Sequence, residues 1–497
     1  MLTLLVFFPF AAGVLILLFP RARHSLFAVM AIAAAAVELA LALLISMPFF
    51  LQAGSQALRL EQRIPWIPAL GAEYALAMDG ISMPLVLLTT LLSLLAIVYS
   101  AYSREEGIEQ PGKEFFFFLL LMETGLLGFF LAFDLLLFYI FWEVAIVPLY
   151  FIIGIWGHGE KRKAALKFFL YTRAASLALL LGILALYLHT NPRSFGMEAI
   201  QNAGVSLGTT RTAFFVLTAL ALGFGIKLPL VPLHSWLPDA HVQAPTPGSV
   251  MLAGVLLKMG GYGLIRLLLP SLGQALAAVG PVFAVIALVA VIYGAAVAMA
   301  QRDFKRLVAF TSINHMGFVL LAVTIAALGI PSADRVVAIN GAVVQMVSHG
   351  LLTGGMFFLV GMLQVRAGSR EFSDFGGGWG PMPAYAVVLT TFALGSFGLP
   401  TMSGFVAEFQ VFTASLSAYV WAAVLLALGV VISTALYLWA LQRILFGQPS
   451  QAMVRARDLR PADGFVMGAL AASVFAIGLF PGPLLAAIER SAQSLVR

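Results

Sequence analysis

The sequence predicts an all-α polytopic membrane protein of about 14 transmembrane helices, folded as a single membrane domain over residues 1–497. Hydrophobic residues make up 61% of the chain and charged residues only 10%, whereas an average soluble domain has roughly 25% charged residues. Apolar runs of the roughly 20 residues that cross a bilayer follow one another along almost the whole chain. The longest polar connections, 51–78 and 190–211, are too short to bury a core of their own.

The apolar runs define the spans in order. The first, Leu2 to Phe19, has no basic segment before it and no small-residue cleavage site after it, so it is expected to be retained as a helix. The predicted spans are 2–19, 27–50, 80–102, 115–133, 135–156, 165–189, 212–232, 246–269, 275–299, 306–328, 337–364, 383–416, 420–442 and 463–486.

Basic residues set the predicted orientation. With the N-terminus outside, the cytoplasmic connections carry most of the Lys and Arg, as the positive-inside rule requires. These residues are Arg21 and Arg23, Lys161 to Lys163, Arg302 to Arg306, and Arg455 to Arg460. An even number of spans then places both termini on the outer side of the cell inner (plasma) membrane. Because the Lys and Arg residues are scattered over short loops between spans, the net charge of +6 does not indicate nucleic-acid binding.

The composition also limits the chemistry of the chain. It contains no cysteine, so thiolate metal sites and iron–sulfur clusters cannot be built from it. The segment from His234 to His241 superficially resembles a metal cluster, but the two histidines are seven residues apart with a proline between them. That spacing matches no strong metal motif, so a structural loop or a proton-uptake segment is the preferred interpretation. No bound cofactor and no metal are predicted for this chain.

Charged side chains inside the spans carry the main functional signal. Each costs about 2.5–3.5 kcal/mol or more at the bilayer centre and usually faces a protein interior or a water-filled cavity. Lys258 is the clearest case, because its neighbours in the span are uncharged and it cannot reach an interface. The candidates are Glu123, Glu143, Arg173, Lys227, Lys258 and Glu408, with His315 and His349 as relays.

Two of these residues lie where helices should break. Lys227 is followed by Pro229 and Pro232, each of which removes a backbone donor and clashes with the preceding turn. Glu408 follows Gly398, Pro400 and Gly404 in a comparable setting. Irregular backbone at membrane depth is tolerated where it is enclosed by protein or lines a cavity, and paired broken helices are typical of transporters with inverted repeats. If Glu143 lies near Lys227, the two could exchange a proton.

Structural explanations compete with these assignments. Partners such as Glu123 and Arg173 can exist merely to neutralise each other, and this is the preferred role for Arg173. His315 and His349 could equally be packed histidines or relays.

The segment from Lys227 to Lys258, KLPLVPLHSWLPDAHVQAPTPGSVMLAGVLLK, strongly resembles the antiporter-like subunits of respiratory complex I. Phe141-Trp142-Glu143 and the segment from Ser312 to Gly317 support the resemblance, which extends over essentially the whole chain. Within the family the chain is most similar to the subunit M branch of bacterial NADH-quinone oxidoreductase, homologous to mitochondrial chain 4. Glu408 favours that branch, because subunit L and the multi-subunit cation/proton exchangers typically have lysine there. The C-terminus also lacks the long lateral helix of subunit L.

The resemblance implies fourteen helices with two inverted five-helix repeats, approximately 115–269 and 275–442, and with the seventh and twelfth helices broken. It implies that Glu143 modulates Lys227, that Lys258 is the central connecting lysine, and that Glu408 is the terminal proton-transfer residue. His315 and His349 would support a hydrated path between them.

The function implied is proton translocation driven by quinone reduction elsewhere in an assembly. NAD, FMN, iron–sulfur clusters and quinone are then expected in partner subunits. The expected partners are the antiporter-like subunits L and N, the small membrane subunits, lipid and, indirectly, the peripheral redox arm. The alternatives are a secondary multi-subunit cation/proton antiporter and a structural membrane scaffold. The electron donor and the choice between proton and sodium are left open.

Overall fold

The computed structural model describes residues 1–20, 24–51, 58–103 and 112–496. Within these ranges it confirms the predicted class, because eleven helices are long and apolar enough to cross a membrane. Leu2–Leu18 and Pro383–Ser396 are shorter apolar helices. Of the residues used to predict the orientation, Arg21 and Arg23 lie outside the described part of the chain.

The helices are numbered in chain order. They are α1 Leu2–Leu18, α2 His24–Leu51, α3 Ser82–Tyr102, α4 Lys113–Leu131, α5 Leu135–Trp156, α6 Lys161–Tyr187, α7 Met197–Leu207, α8 Arg211–Lys227, α9 Trp236–Gln243, α10 Thr246–Met251, α11 Lys258–Gly263, α12 Leu269–Ala278, α13 Gly280–Met299, α14 Phe304–Ala326, α15 Ser332–Ala367, α16 Pro383–Ser396, α17 Ser403–Ala418, α18 Val420–Leu445, α19 Gln451–Arg455, α20 Pro461–Leu479 and α21 Gly482–Leu495.

The first predicted break is confirmed between α8 and α9. Helix α8 ends at Lys227, two residues before Pro229, whose ring cannot continue the helical hydrogen bonding. The chain re-enters a helix only at Trp236. The Trp236 indole donates a 3.0 Å hydrogen bond to the carbonyl oxygen of Ile226, which satisfies a backbone group exposed by the break.

The second predicted break is confirmed between α16 and α17. Residues 397–402 connect the two helices, and Gly398 and Thr401 have φ angles of 80° and 83°. Left-handed backbone is costly for most residues, and glycine adopts it most readily. The connection therefore turns sharply ahead of the helix that carries Glu408.

The Lys258 span is one long helical run made of α10, α11 and α12. Five-residue π-helical segments, Leu252–Leu256 and Leu264–Leu268, separate the three pieces. Such π-turns are frequent at functional sites. Gly260 allows close packing, because a Cβ there would lie 2.7 Å from the carbonyl oxygen of Phe224 on α8.

The polar connections hold secondary structure that the sequence did not reveal. Strands β1 (Leu60–Ile67) and β2 (Ala72–Met78) pair antiparallel, with Leu60 opposite Met78 and an irregularity between Pro65 and Ile67. Helix α7 occupies the other long connection. The purely helical prediction missed the hairpin because β1 is mostly exposed and mixes polar and apolar residues without regular alternation, so hydropathy gives no strand signal there.

The last predicted span, 463–486, is wrong as a continuous helix. Helix α20 ends at Leu479, and α21 begins only after Pro481. Proline is poorly tolerated inside a helix. Helix α21 packs against α15 and α2, and its Ser491 hydroxyl accepts a 2.9 Å hydrogen bond from Gly80 N, between β2 and α3.

Both chain ends lie at the hairpin end of the helix bundle. Thr3 contacts Gln62 and Tyr74 of the hairpin, and Arg335 donates to the carbonyl oxygen of Val496. The described basic connections gather at the opposite end. There the His158 amide donates to Gln243 O and the Phe304 amide donates to Arg370 O.

Candidate functional site

Lys258 and His349 form the centre of the site. They lie on α11 and α15, and both are buried, with Lys258 fully enclosed. Lys258 Nζ is 2.6 Å from His349 Nδ1 and also contacts the carbonyl oxygen of Ala253. Nitrogen atoms at this separation can pass a proton directly, because either one can act as donor while the other accepts.

The second histidine continues the line from His349 toward Glu408. The imidazole rings of His349 and His315 are 5.5 Å apart between centroids. His315 Nδ1 is 3.2 Å from Gln345 Nε2 and 3.8 Å from Glu408 Oε1. The structure thus places these predicted residues, with Lys258, in one continuous row.

A narrow cavity runs beside this row. His315, Gln345, His349, Thr353 and Glu408 line it, and Ser348 and Ser396 add hydroxyl groups. It has room for about one water molecule, and bridging water transmits hydrogen bonds almost as well as direct contact. The 3.8 Å step from His315 to Glu408 therefore lies where a water molecule can mediate proton transfer.

Glu408 is held at the second helix break. Its side chain is 12% exposed. A Cβ at Gly398 would lie 2.5 Å from Glu408 Oε2, so glycine at this turn leaves the space that the carboxylate occupies.

Lys227 occupies a different environment at the end of α8. It is fully buried, and its Nζ has no hydrogen-bond partner among the described residues. The ammonium position lies 5.4 Å from the ring centroid of Trp142 and 5.8 Å from that of Phe168. The Trp142 indole is fixed by a 3.0 Å hydrogen bond to Ser176 Oγ. Lys227 is thus held in an aromatic cage that can stabilise a cation through ring faces alone.

Glu143 pairs with Arg173 rather than with Lys227. Arg173 Nη1 is 2.5 Å from Glu143 Oε2. The expected pairing of Glu123 with Arg173 is therefore wrong. On the helical repeat, Glu143 on α5 faces α6, which carries Arg173, whereas Glu123 on α4 is directed toward α2 and α3. Lys227 and Glu143 interact only across a gap longer than an ion pair.

Among the described residues, no hydrogen bond joins Lys227 to Lys258. Their helices meet through Gly260, which packs on Phe224 and Leu228. The site consequently has two parts, a caged lysine beside an acidic pair and a connected row that begins at Lys258.

The segment from His234 to His241 does not converge on one point. His234 contacts Tyr293, and Asp239 forms a 2.7 Å ion pair with Lys167. His241 stacks on Phe357 with ring centroids 4.4 Å apart. No group of three or more potential metal ligands occurs in the described ranges. The predicted structural loop is wrong for most of this segment, because Trp236–Gln243 forms helix α9. Its side chains have separate packing and ion-pair partners.

Sequence reasoning missed several buried charged groups. Lys305 is fully buried and donates a 2.6 Å hydrogen bond to Ala244 O. Arg266 and Asp79 form a buried ion pair at 2.7 Å. Glu38 is fully buried on α2. Glu38 could have been identified because it is a charged residue inside an apolar run. Lys305 was not distinguished from the other charged residues of the adjacent loop.

Comparisons with known proteins show the family and the fold of this chain. The family described as NADH:quinone oxidoreductase/Mrp antiporter, TM, matches residues 132–434. NAD(P)H-quinone oxidoreductase chain 4 1 of Synechococcus sp. (strain JA-2-3B'a(2-13)) is 39% identical over 490 residues, covering 97% of this chain and 89% of the relative. NADH-quinone oxidoreductase subunit M of Escherichia coli (strain K12) is 36% identical over 471 residues, covering 91% and 89%. A chain of respiratory complex I from Thermus thermophilus superposes with a TM-score of 0.87, 29% identity and full coverage of both chains.

Proposed function

We propose, from the premise that this chain belongs to the NADH:quinone oxidoreductase/Mrp antiporter transmembrane family, that it translocates protons through the row Lys258–His349–His315–Glu408. The chain is an antiporter-like membrane subunit of the subunit M and chain 4 type. The observation that carries the residue assignment is the 2.6 Å contact of Lys258 with His349, continued by His315 to Glu408.

Proton passage along the row needs no large movement of the backbone. Protonated Lys258 gives a proton to His349 Nδ1, and the proton then moves to His315 and onward to Glu408 through the narrow cavity. Each acceptor is regenerated as it passes its proton on. Glu408, at the broken helix, is the last member of the row and would release the proton on the outer side.

Lys227 and Glu143 control access to the row. While Glu143 is paired with Arg173, Lys227 stays in the aromatic cage without a counter-ion within 4 Å. Movement of Glu143 toward Lys227 would stabilise the lysine cation, and return to Arg173 would favour release of its proton toward Lys258. This exchange of partners would couple the subunit to charge movements in its neighbours. The absence of a hydrogen bond between Lys227 and Lys258 makes this transfer the natural control point.

The assembly would supply the driving reaction. NAD, FMN, iron–sulfur clusters and quinone belong to partner subunits in this proposal, and this chain itself carries no redox centre. Its neighbours would be the antiporter-like subunits L and N, the small membrane subunits and lipid, with the peripheral arm acting indirectly.

The membrane would be the cell inner membrane, and both termini would lie on its outer side. The basic connections at the opposite end of the bundle from the two chain ends support this orientation. Inverted repeats over 115–269 and 275–442 remain part of the proposal, supported by a broken helix inside each repeat, α8 to α9 and α16 to α17.

The test is proton pumping driven by quinone reduction in membranes that carry Lys258→Ala. Assembly is checked in parallel, and an acid pulse measures passive leakage. Lys161→Ala, at the basic end of the bundle, is the control and should pump normally. We expect assembled, non-leaky Lys258→Ala complexes to lose pumping, whereas unchanged pumping would leave the chain a structural scaffold.

A further inference from the structure

Two buried acidic side chains lie outside the proposed path, Glu38 on α2 and Glu123 on α4. Both are fully buried. Within the described part of the chain, all four of their carboxyl oxygens lack a hydrogen-bond partner, and no cation lies within the 4.0 Å of an ion pair. Uncompensated charge in a bilayer interior is costly, so these two groups require an explanation.

The helix packing directs both side chains to the same place. Glu38 continues the buried stripe of α2, which includes Ala31, Ala35 and Ala42 at helical spacing. Helix α2 packs on α3 and α4. Glu38 and Glu123 influence each other electrostatically, and the Ser93 hydroxyl on α3 approaches Glu123 from a third helix.

The cations on neighbouring helices do not reach this site. Lys113, at the start of α4, donates hydrogen bonds to Leu17 O and Phe19 O. Arg490, on α21, donates to Phe49 O near the end of α2. Both are engaged at helix ends, far along the axis from Glu38 and Glu123.

Helix α3 separates the pair from the proposed path. Its Leu92 packs against Gly254 in the Lys258 span, and its Leu88 packs against Gly350 beside His349. Ser93 itself contacts Met251 Sδ at 3.9 Å. Glu38 and Glu123 therefore form a site that leucine side chains of α3 separate from the proposed path. Ser93 is the polar residue of α3 that contacts the Lys258 span at Met251.

We infer that Glu38 and Glu123 form a second proton-binding site, in which at least one of the two buried carboxyl groups holds a proton on the far side of α3 from Lys258. Two neighbouring carboxylates that are buried without a cation in a medium of low dielectric cannot both stay ionised. A metal cation would need about six oxygen ligands, whereas this site offers two carboxyl groups and one hydroxyl. A proton satisfies the pair with the groups present.

Carbodiimide labelling tests the inference in the intact complex. Dicyclohexylcarbodiimide reacts with protonated carboxyl groups in apolar surroundings, and peptide mass spectrometry locates the adduct. We expect labelling of Glu38 or Glu123 at pH 7, while Glu143, which is ion-paired with Arg173, stays unlabelled. This measurement needs no variant and does not depend on pumping, so it can fail or succeed separately from the proposed path.

A variant tests whether the two carboxyl groups influence each other's protonation. Glu123→Gln removes the neighbouring negative charge, so the pH of half-maximal labelling at Glu38 should fall by at least about one unit. Glu160→Gln, an exposed change, should leave that pH unchanged. If the complex with Glu123→Gln does not assemble, the pH of half-maximal labelling is measured at Glu123 in the Glu38→Gln variant instead.

Three outcomes would overturn the inference. The first is the absence of labelling at both residues between pH 5 and 8, about the range in which a buried carboxyl group is expected to hold its proton. The second is an unchanged pH of half-maximal labelling in the variant, and the third is protection from labelling by sodium at constant pH. The last outcome would make the pair a cation site.

Discussion

Lys227 and Lys258 are both fully buried lysines, yet their surroundings differ in the property that matters for proton transfer. Lys258 is hydrogen-bonded to His349 and opens onto a row of titratable groups. Lys227 contacts aromatic ring faces and has no hydrogen-bond partner in the described structure. A hydrogen-bonded lysine can pass a proton at once, whereas a caged lysine must first move or meet water. In the proposed function, this difference makes Lys258 the relay and Lys227 the control point.

The largest effect should come from breaking the relay. His349→Phe keeps an aromatic ring but removes the nitrogen that contacts Lys258. We expect pumping by the assembled complex to fall at least about tenfold, because a positioned acid–base group typically contributes more than that. The measurement is the initial rate of proton uptake into vesicles per quinone reduced. His189→Phe, an exposed change, is the control, and equal losses in both variants would remove His349 from the path.

The next change locks the control point. Lys227→Arg keeps a cation in the aromatic cage of Trp142 and Phe168, but guanidinium does not release its proton in proteins. We expect pumping to fall about tenfold in an assembled complex, measured as above, while the Lys258 row stays intact. Lys163→Arg, at an exposed position of α6, is the control, and the complex that carries it should pump normally. Normal pumping by Lys227→Arg would make Lys227 a purely electrostatic element.

Gly398→Ala tests the space around Glu408. The new Cβ would lie 2.5 Å from Glu408 Oε2 at a residue with φ of 80°. We expect a severalfold loss of pumping, together with about 1 kcal/mol of strain. Gly447→Ala is the matched control, because φ is 90° there and no atom lies within 4 Å. The control isolates backbone strain, so an equal loss in both variants would show that the carboxylate position is unimportant.

Arg173→Gln should shift the balance at the control point. It removes the cation that holds Glu143 and leaves Glu143 free to move toward Lys227. We expect a loss of pumping of about two- to fivefold, since the change alters a partly exposed ion pair rather than the relay itself. Arg162→Gln, on the exposed face of the same helix, is the control. A double variant with Lys227→Arg should show no further loss, and additive losses would separate Arg173 from Lys227.

The smallest effect concerns stability at the basic end of the bundle, outside both lysine sites. Burial, reinforced by the positive charges of Lys305, Arg370 and Lys161, lowers the pKa of His158 from 6.5 to about 4. The unfolded chain therefore binds a proton more readily than the folded one, and the stability contributed by neutral His158 is lost as pH falls from 6.5 toward 4. His158→Gln should show a smaller decrease in thermal stability between pH 7 and 5 than the unaltered complex. His189→Gln should match the unaltered complex.

Much of the site could be predicted from the sequence, for identifiable reasons. Both helix breaks followed from prolines and glycines inside apolar runs, because those residues cannot support regular helix. Intramembrane charge drew attention to Lys227, Lys258 and Glu408 because its cost in a bilayer is independent of the fold. Pairing was harder. The sequence suggested Glu123 for Arg173, but the helix packing gave Arg173 to Glu143.

The sequence by itself determined the membrane class, the broken helices and most of the titratable residues, because hydropathy, proline chemistry and charge act locally along the chain. Only the tertiary structure decided which of those residues meet. It placed Lys258 on His349, isolated Lys227 among aromatic rings and buried Glu38 and Glu123 inside the helix packing. These environments depend on the rotation and packing of helices far apart in sequence, and every apolar face in a membrane protein is compatible with several such arrangements.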